Sequence, residues 1–344
     1  MGKKVMGLLL FVLLCGVIYF MIDAISTRET VKKDQETSKE PIKQENLAKD
    51  QTNLQSSFVK WLGVSSEEVL AEFGEPERID KSSYGYDWWV YPKEGQYFQL
   101  GIKDDTVVTS VTYDQDLNES LKIGESYNRL NQEYAFQNEF PLKDGMFSFE
   151  LTVKDLSERP LIALNDQWSA QLYFDTFTDK LSAIRAIRND ILLMLQPYQL
   201  NYRGELPQGP ILTEEDWREI NEGSEQQIYE MTNNIRASHD IDKLKKHKEA
   251  ATVAFGHSKD MNQNNYFSHH SQNGNGVGER LRLGNVPFVR AGENIAAQYI
   301  DATAAIHGWL NSEGHRASLL DKRYTHIGVG VDQLYYTQNF LSLP

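Results

Sequence analysis

A break between two prolines, Pro207–Pro210, divides this chain into two halves with different periodicity. Residues 56–207 alternate apolar and polar side chains in the manner of half-buried strands, whereas residues 212–344 favour helical spacing. Proline is poorly tolerated inside helices and central strands. We therefore predict an α+β fold with two domains, and expect residues 212–344 to fold on their own.

The first half carries two similar patterns, about 70 residues apart. Each has a short helical stretch opened by a glycine and a serine, followed by two strand-like runs joined by a turn-prone segment. The openings are Gly63–Ser65 and Gly124–Ser126, and the paired runs are 97–102 with 107–113 and 169–174 with 181–187. The recurrence predicts a β-rich α+β domain that arose by internal duplication.

The second half begins with helix signals and ends with a hairpin signal. Thr213 with Asp216 is typical of a helix cap, which predicts a short helix there, and Ser224 predicts the start of a second. Residues 244–261 predict a third. The alternation in 327–331 and 335–340 indicates two strands near the end of the chain.

The N-terminal segment predicts a membrane association. An uncharged, mostly apolar run of 18 residues, 5–22, follows Lys3 and Lys4, close to the roughly 20 residues that cross a bilayer. We read residues 1–26 as a membrane anchor or signal and 27–55 as a polar linker. We expect a single-pass protein of the cell membrane with its domains outside. Secretion after cleavage near Ala24–Ser26 is the alternative.

Composition excludes several classes of function. The net charge is −14, and phosphate binding depends on lysine and arginine, so no nucleic-acid partner is expected. Cys15 is the only cysteine. A disulfide framework is therefore excluded, as is a cysteine nucleophile or cysteine zinc site outside the apolar run.

The positions of the histidines predict a catalytic or binding site in the C-terminal half. All eight histidines follow residue 238: His239, His247, His257, His269, His270, His307, His315 and His326. Imidazole serves as metal ligand, proton shuttle or pH switch. The common zinc-protease helix motif H-E-x-x-H, the nucleophile elbow G-x-S-x-G and the P-loop do not occur in the sequence.

An ordered set of short motifs does occur. The segments are Asn233-x-x-Arg236, His257-Ser258-x-x-Met261, Tyr266–His269, Gly292–Ala296, Trp309-x-x-Ser312–Arg316, Tyr324–Gly330 and Tyr336–Phe340. Taken together, residues 224–341 resemble the CAP superfamily, also called the SCP or pathogenesis-related-1 domain, in its bacterial form. The upstream half resembles the CAP-associated N-terminal region of exported Bacillus-type proteins.

The resemblance implies an α-β-α sandwich with a cleft lined by two histidines and two acidic residues. By position these are His269, Glu293, Glu313 and His315. Neutral His269 and His315 can hold a divalent ion such as Zn²⁺, and the carboxylates can orient them or act as a base. The alternatives are that Glu293 only bonds backbone amides at its turn, and that His315 only caps the helix near Trp309.

The sequence is compatible with two functions. The first is a surface-anchored binding or interaction module whose cleft holds a peptide, a lipid, a cell-wall component or a metal. The second is a metal-dependent hydrolase, either a protease or a cell-wall enzyme, that uses the same cleft. The sequence does not decide whether the protein is an enzyme. His257 and His326 are interpreted as structural.

Overall fold

The computed structural model describes residues 58–93, 96–113, 121–143 and 145–344. The predicted anchor, 1–26, and the predicted linker, 27–55, lie outside the described residues. Within the described ranges, no helix is long and apolar enough to cross a bilayer. Helices and strands are mixed along these ranges, which confirms the α+β class.

The first half is built around an antiparallel sheet. Its strands are β1 (Arg78–Lys81), β2 (Asp87–Lys93), β3 (Gln96–Lys103), β4 (Thr106–Thr112), β5 (Glu139–Leu142), β6 (Phe147–Glu150), β7 (Leu161–Ala163), β8 (Trp168–Asp175), β9 (Lys180–Arg188) and β10 (Gln199–Tyr202). The main sheet has the order β1-β2-β3-β4-β9-β8-β7, and β10-β6-β5 form a small second sheet. Both predicted hairpins are present, as β3–β4 and β8–β9. They meet at the centre of the sheet, where β4 pairs with β9.

Each central hairpin is joined to a short helix in the same way. The helices of this half are α1 (Ser66–Phe73), α2 (Tyr127–Tyr134), α3 (Val153–Glu158) and α4 (Asn189–Leu195), with a 3₁₀ turn at Phe58–Trp61. Ser65 caps α1 and Ser126 caps α2. Gly63 and Gly124 have φ angles of 79° and 87°, which glycine adopts without strain. The amide of each donates to the second strand of its hairpin, at 3.1 and 2.7 Å. These matched contacts support the predicted duplication.

The second half is a sheet between helices. Its elements are α5 (Glu214–Ser238), β11 (Lys245–Lys246), α6 (Lys248–Gln263), α7 (Val277–Leu283), β12 (Arg290–Ala297), α8 (Ala302–Leu310), α9 (Glu313–Leu319), β13 (His326–Asp332) and β14 (Tyr335–Ser342). The strand order is β11-β13-β14-β12. Only the short β11–β13 pair is parallel.

The prediction of two helices on either side of Ser224 is wrong. The capping box of Thr213 and Asp216 is present, but α5 continues through Ser224 to Ser238. The helix contains Gly223 because Asp80 of β1 packs there. A Cβ at Gly223 would lie 2.7 Å from the Asp80 Cβ. The glycine therefore allows a close approach and does not mark a helix end.

Along β13, β-branched residues and glycines alternate between the two faces of the sheet. Ile327, Val329 and Val331 are buried in the cluster that includes Ile228 of α5. Gly328 and Gly330 face α6, because a Cβ on either would meet the α6 backbone within 2.2 Å. Strand β13 therefore has β-branched side chains on its α5 face and bare backbone on its α6 face.

Gly330→Ala should lower the free energy of unfolding by about 3 kcal/mol, at the upper end for overpacking. Its Cβ would lie 1.9 Å from the Phe255 backbone nitrogen, and two backbones cannot separate without opening the core. Gly256→Ala, within α6, is the matched control. A Cβ there meets no atom within 4 Å, so it should be neutral or stabilising by up to about 1 kcal/mol. Urea denaturation measures both. Equal stability of the two variants would contradict this packing.

The two halves share one hydrophobic core. A single cluster of buried residues includes Val111 and Tyr173 from the first half and Ile306 and Trp309 from α8. The domain boundaries themselves stay a prediction. The shared cluster, however, argues against independent folding of residues 212–344, because separation would expose apolar surface on both sides.

Ion pairs reinforce this shared core. Arg185 of β9 is buried and lies 2.5 Å from Asp301, the N-cap of α8. Asp175 of β8 accepts two hydrogen bonds from Arg316 of α9, at 2.8 and 2.9 Å. These contacts fix the orientation of α8 and α9, and α9 carries one of the predicted cleft histidines.

Candidate functional site

Strand β12 carries Glu293 into the interior at the edge of the sandwich. It pairs along its whole length with β14, so its backbone is held in register. Gly292 lies under the hydroxyl of Tyr324, where a Cβ would be 2.3 Å away. The strand can therefore sit tightly on this ring, and the Glu293 side chain is only 2 % exposed.

Two side chains share the Glu293 carboxylate. The Oε1 atom lies 2.9 Å from Nδ1 of His269, and Oε2 accepts a hydrogen bond from Nη2 of Arg280. A buried carboxylate is stable when charged partners and hydrogen bonds compensate for lost water. Glu293 thus links helix α7 to the loop that carries His269.

Arg280 is a site residue that the sequence analysis missed. It lies in α7 and is buried. Its Nη1 donates to the carbonyl oxygens of His269 and Asn275, at 3.0 and 2.7 Å. The guanidinium therefore fixes the backbone of the His269 loop as well as the carboxylate that orients the His269 ring.

His315 lies beside His269. The two ring centres are 6.3 Å apart and the ring planes differ by 47°. Buried Asn294, next to Glu293 in β12, donates to the carbonyl of His315 at 3.0 Å. Burial lowers the pKa of His315, and the nearby His269 lowers it further. Both effects favour the neutral imidazole, the form that binds metals and accepts protons.

Glu313 differs from the other predicted cleft residues in its exposure and contacts. It is exposed at the first position of α9. In the part of the chain that the structure describes, no hydrogen bond or ion pair joins it to His269, Glu293 or His315. The geometry therefore brings three of the four residues together. The role of Glu313 as the second acid stays a prediction.

The alternative roles, backbone bonding for Glu293 and helix capping for His315, do not match the contacts in the structure. The partners of Glu293 are side chains, His269 and Arg280, rather than the backbone amides of a turn. His315 lies within α9 and caps neither α8 nor α9: Asn311 ends α8, and Ser312 precedes α9.

The remaining histidines make other contacts. His257 is buried with Nε2 3.0 Å from the Ser268 carbonyl, and burial lowers its pKa. It thus supports the loop just before His269. His247 and His326 form a second pair, with ring centres 6.1 Å apart, at the other edge of the sheet. At that edge, among the described residues, no carboxylate bonds a histidine and an arginine at the same time, as Glu293 does.

The donor set limits what kind of metal site the cleft can form. Within the described residues, no group of three or more His, Cys, Asp or Glu side chains is placed to hold a metal ion. Both oxygens of Glu293 already have partners. The available ligands are therefore two imidazoles, with water completing the shell, which fits a weak and exchangeable divalent-ion site.

The sheet between helices and the cleft with His269, Glu293 and His315 agree with the CAP resemblance of the sequence. The chain belongs to the CAP family, described as the cysteine-rich secretory protein family, which matches residues 229–342. The CAP-associated N-terminal family matches residues 62–198. Both resemblances predicted from the sequence are thus confirmed.

The chain is similar to three named proteins over most of its length. It is 41% identical to the uncharacterized membrane protein YlbC of Bacillus subtilis, over 97% of each chain. The crystal structure of an extracellular SCP-domain protein from Bacillus anthracis is 40% identical, with a TM-score of 0.79, covering 90% of this chain and 99% of that one. The cysteine-rich secretory protein SAV1118 of Staphylococcus aureus is 26% identical, with a TM-score of 0.72, covering 82% and 91%.

Proposed function

We propose that this protein is a membrane-anchored extracellular binding module, and that its CAP cleft holds a divalent cation on His269 and His315. One observation carries the proposal. Glu293 binds Nδ1 of His269 at 2.9 Å while a second imidazole lies 6.3 Å away, centre to centre. Two imidazoles on one zinc ion, with Zn–N bonds of about 2.0–2.1 Å, have ring centres roughly 5–6 Å apart.

The carboxylate sets the chemistry of His269. When Nδ1–H of His269 donates to Glu293, the lone pair is on Nε2, which is left free for a ligand. Arg280 holds the other carboxylate oxygen, so the ring keeps its orientation without a bound partner. A bound zinc ion would supply a Lewis acid that attracts carbonyl, carboxylate or phosphate oxygens of a ligand.

A metal-dependent hydrolase is the second candidate, and it rests on the same hydrogen bond. In that case an ion held by His269 and His315 would activate a water molecule, and the hydrogen bond between Nδ1 and Glu293 would orient the His269 ligand. The two functions differ in turnover. A binding module retains its ligand unchanged, whereas a hydrolase releases products at a rate that falls when His269 is replaced.

The proposed location rests on the N-terminal sequence and on the relatives. Residues 5–22 form an apolar run of the length that spans a bilayer. YlbC is named a membrane protein, and the Bacillus anthracis relative is named an extracellular protein. We therefore place the cleft outside the cell, where peptides, lipids and cell-wall components are the available ligands.

Isothermal titration with Zn²⁺ tests the proposed cation site. The wild type should bind one ion, and His269→Ala or His315→Ala should each lose most of the affinity because each removes half of the ligands. His326→Ala is the matched control, since the His247–His326 pair has a similar separation of 6.1 Å, and the carboxylate beside it, Glu249 at 3.3 Å from His247 Nδ1, is exposed. Binding should weaken from pH 7 to pH 5, because ordinary imidazole titrates near 6.5 and must be neutral to bind. Unchanged affinity in His269→Ala would remove this residue as a ligand.

A further inference from the structure

The edge of the C-terminal sheet opposite β12 is open at the middle of β13, around Val329. Strand β11 pairs only with His326 and Ile327 before the chain turns into α6. In the described ranges no other strand pairs with this side of β13. The Ile327 carbonyl accepts from His247 at 2.9 Å, and the Val331 amide donates to Glu225 at 3.0 Å. Since the direction of backbone groups alternates along a strand, Val329 presents its N–H and C=O to the same edge.

A groove of about 870 Å³ runs along this edge, between α5 and α6. Ile327 and Val329 line its floor, Trp217 and Tyr229 line the α5 side, and Phe255 lines the α6 side. The volume lies within the range of about 300–1,000 Å³ found for ligand pockets. A free strand edge beside apolar side chains suits an extended polypeptide, which can add to the sheet by main-chain hydrogen bonds.

The two walls of this groove carry opposite charges. The α5 wall has Glu214 and Glu222, and the α6 wall has Lys248 and Lys259. All four residues are exposed. Arg218, also on the α5 wall, is paired with Glu215 and with Glu222 itself, at 2.6 Å each. Glu225 is a third acidic residue of α5 in the lining, so the acids of this wall outnumber its one arginine, whereas the charged lining residues of α6 are lysines. Lys246 of β11 also lines the groove and lies over the Tyr229 ring.

We propose that this groove binds an extended peptide with alternating basic and acidic side chains, which adds to β13 as a new edge strand. Successive side chains of a strand point to opposite faces. A peptide in this position would therefore direct every second side chain towards α5 and the others towards α6. Basic side chains fit the acidic α5 wall, with their aliphatic stems on Trp217, and acidic side chains fit the lysines of α6.

The test uses the full chain purified in detergent and a fluorescent peptide of four Lys-Glu repeats. The control peptide has the same residues in the order Lys-Lys-Glu-Glu, which mixes both charges on each face. Anisotropy should show saturable binding that is at least tenfold tighter for the alternating peptide. Hydrogen exchange at the Val329 amide should slow when it binds, because that amide gains a partner. Equal binding of the two peptides, or unchanged exchange at Val329, would overturn the proposal.

Charge reversal separates this groove from other surfaces. Lys248→Glu combined with Lys259→Glu should weaken the alternating peptide about tenfold, since two weak attractions become repulsions. Adding Glu214→Lys and Glu222→Lys should restore binding, because a shift of one residue exchanges the two faces of the peptide. Failure of the lysine variants to weaken binding would refute the groove as the site. Preferential binding of a chitin oligosaccharide would also refute it and assign the groove to carbohydrate.

Discussion

Replacing Glu293 by leucine should lower the free energy of unfolding by about 3–5 kcal/mol, the cost of breaking a buried ion pair from one side. The Glu293 side chain is 2 % exposed and the Arg280 side chain 9 %. Without the carboxylate, the guanidinium keeps only its bonds to the carbonyl oxygens of His269 and Asn275. Its charge then has no buried counter-charge, and the His269 loop loses one of its attachments.

A double substitution distinguishes the lost pair from simple loss of packing. Glu293→Leu with Arg280→Met should recover part of the stability, because no unpaired charge then remains inside, but the carbonyl oxygens of His269 and Asn275 lose their donor. His269→Ala should cost less than about 1 kcal/mol, since half of that side chain faces solvent. Urea denaturation of the three variants and the wild type gives the comparison. If Glu293→Leu lies within 1 kcal/mol of the wild type, the carboxylate does not hold the cleft together.

Acid should weaken the contact between the two halves through His307. This residue of α8 is buried, lies 3.0 Å from the hydroxyl of Tyr113, and stacks on the ring of Tyr173 at 4.5 Å. Burial, with the charge of Arg185, lowers its pKa to about 3. The unfolded chain binds this proton near pH 6.5, so stability is complete above that pH. It should fall by roughly 1.4 kcal/mol per unit below it, or about 3 kcal/mol at pH 4.5.

The His307→Phe variant isolates this effect. Glu225 acts in the opposite direction, because burial raises its pKa to about 7. The folded protein therefore gains stability from Glu225 as pH falls from 7 towards 4.5. Subtracting the stability of His307→Phe from that of the wild type at each pH removes the Glu225 contribution. The difference should fall by about 3 kcal/mol between pH 6.5 and 4.5, and a constant difference would show that His307 does not resist protonation.

Local sequence patterns predicted the elements that depend on local interactions. Alternation located both hairpins of the first half, and the Thr213–Asp216 pair located the start of α5, because strand faces and capping boxes are set by neighbouring residues. The end of that helix could not be predicted in the same way. Gly223 resembles a helix breaker, but its role depends on Asp80, which is distant in the chain and packs against it.

The residues of the candidate site also differ in whether local sequence patterns predicted them. His269, Glu293 and His315 were predictable because they fall in ordered motifs. Arg280 was not, since α7 buries only Arg280 and Leu281, and a charged residue beside a leucine is a weak signal. The shared core was also missed. Tyr113 and His307 lie in different halves, and nothing in either local pattern indicates that they touch.

A zinc-soaked crystal, measured on both sides of the zinc absorption edge, tests the central claim most directly. The claim is that His269 and His315 form one cation site that Glu293 orients. It predicts an anomalous peak about 2.0–2.1 Å from Nε2 of His269 and from a ring nitrogen of His315, and no such peak in His269→Ala crystals. A cleft without a peak at full soaking, or a peak only between His247 and His326, would contradict it.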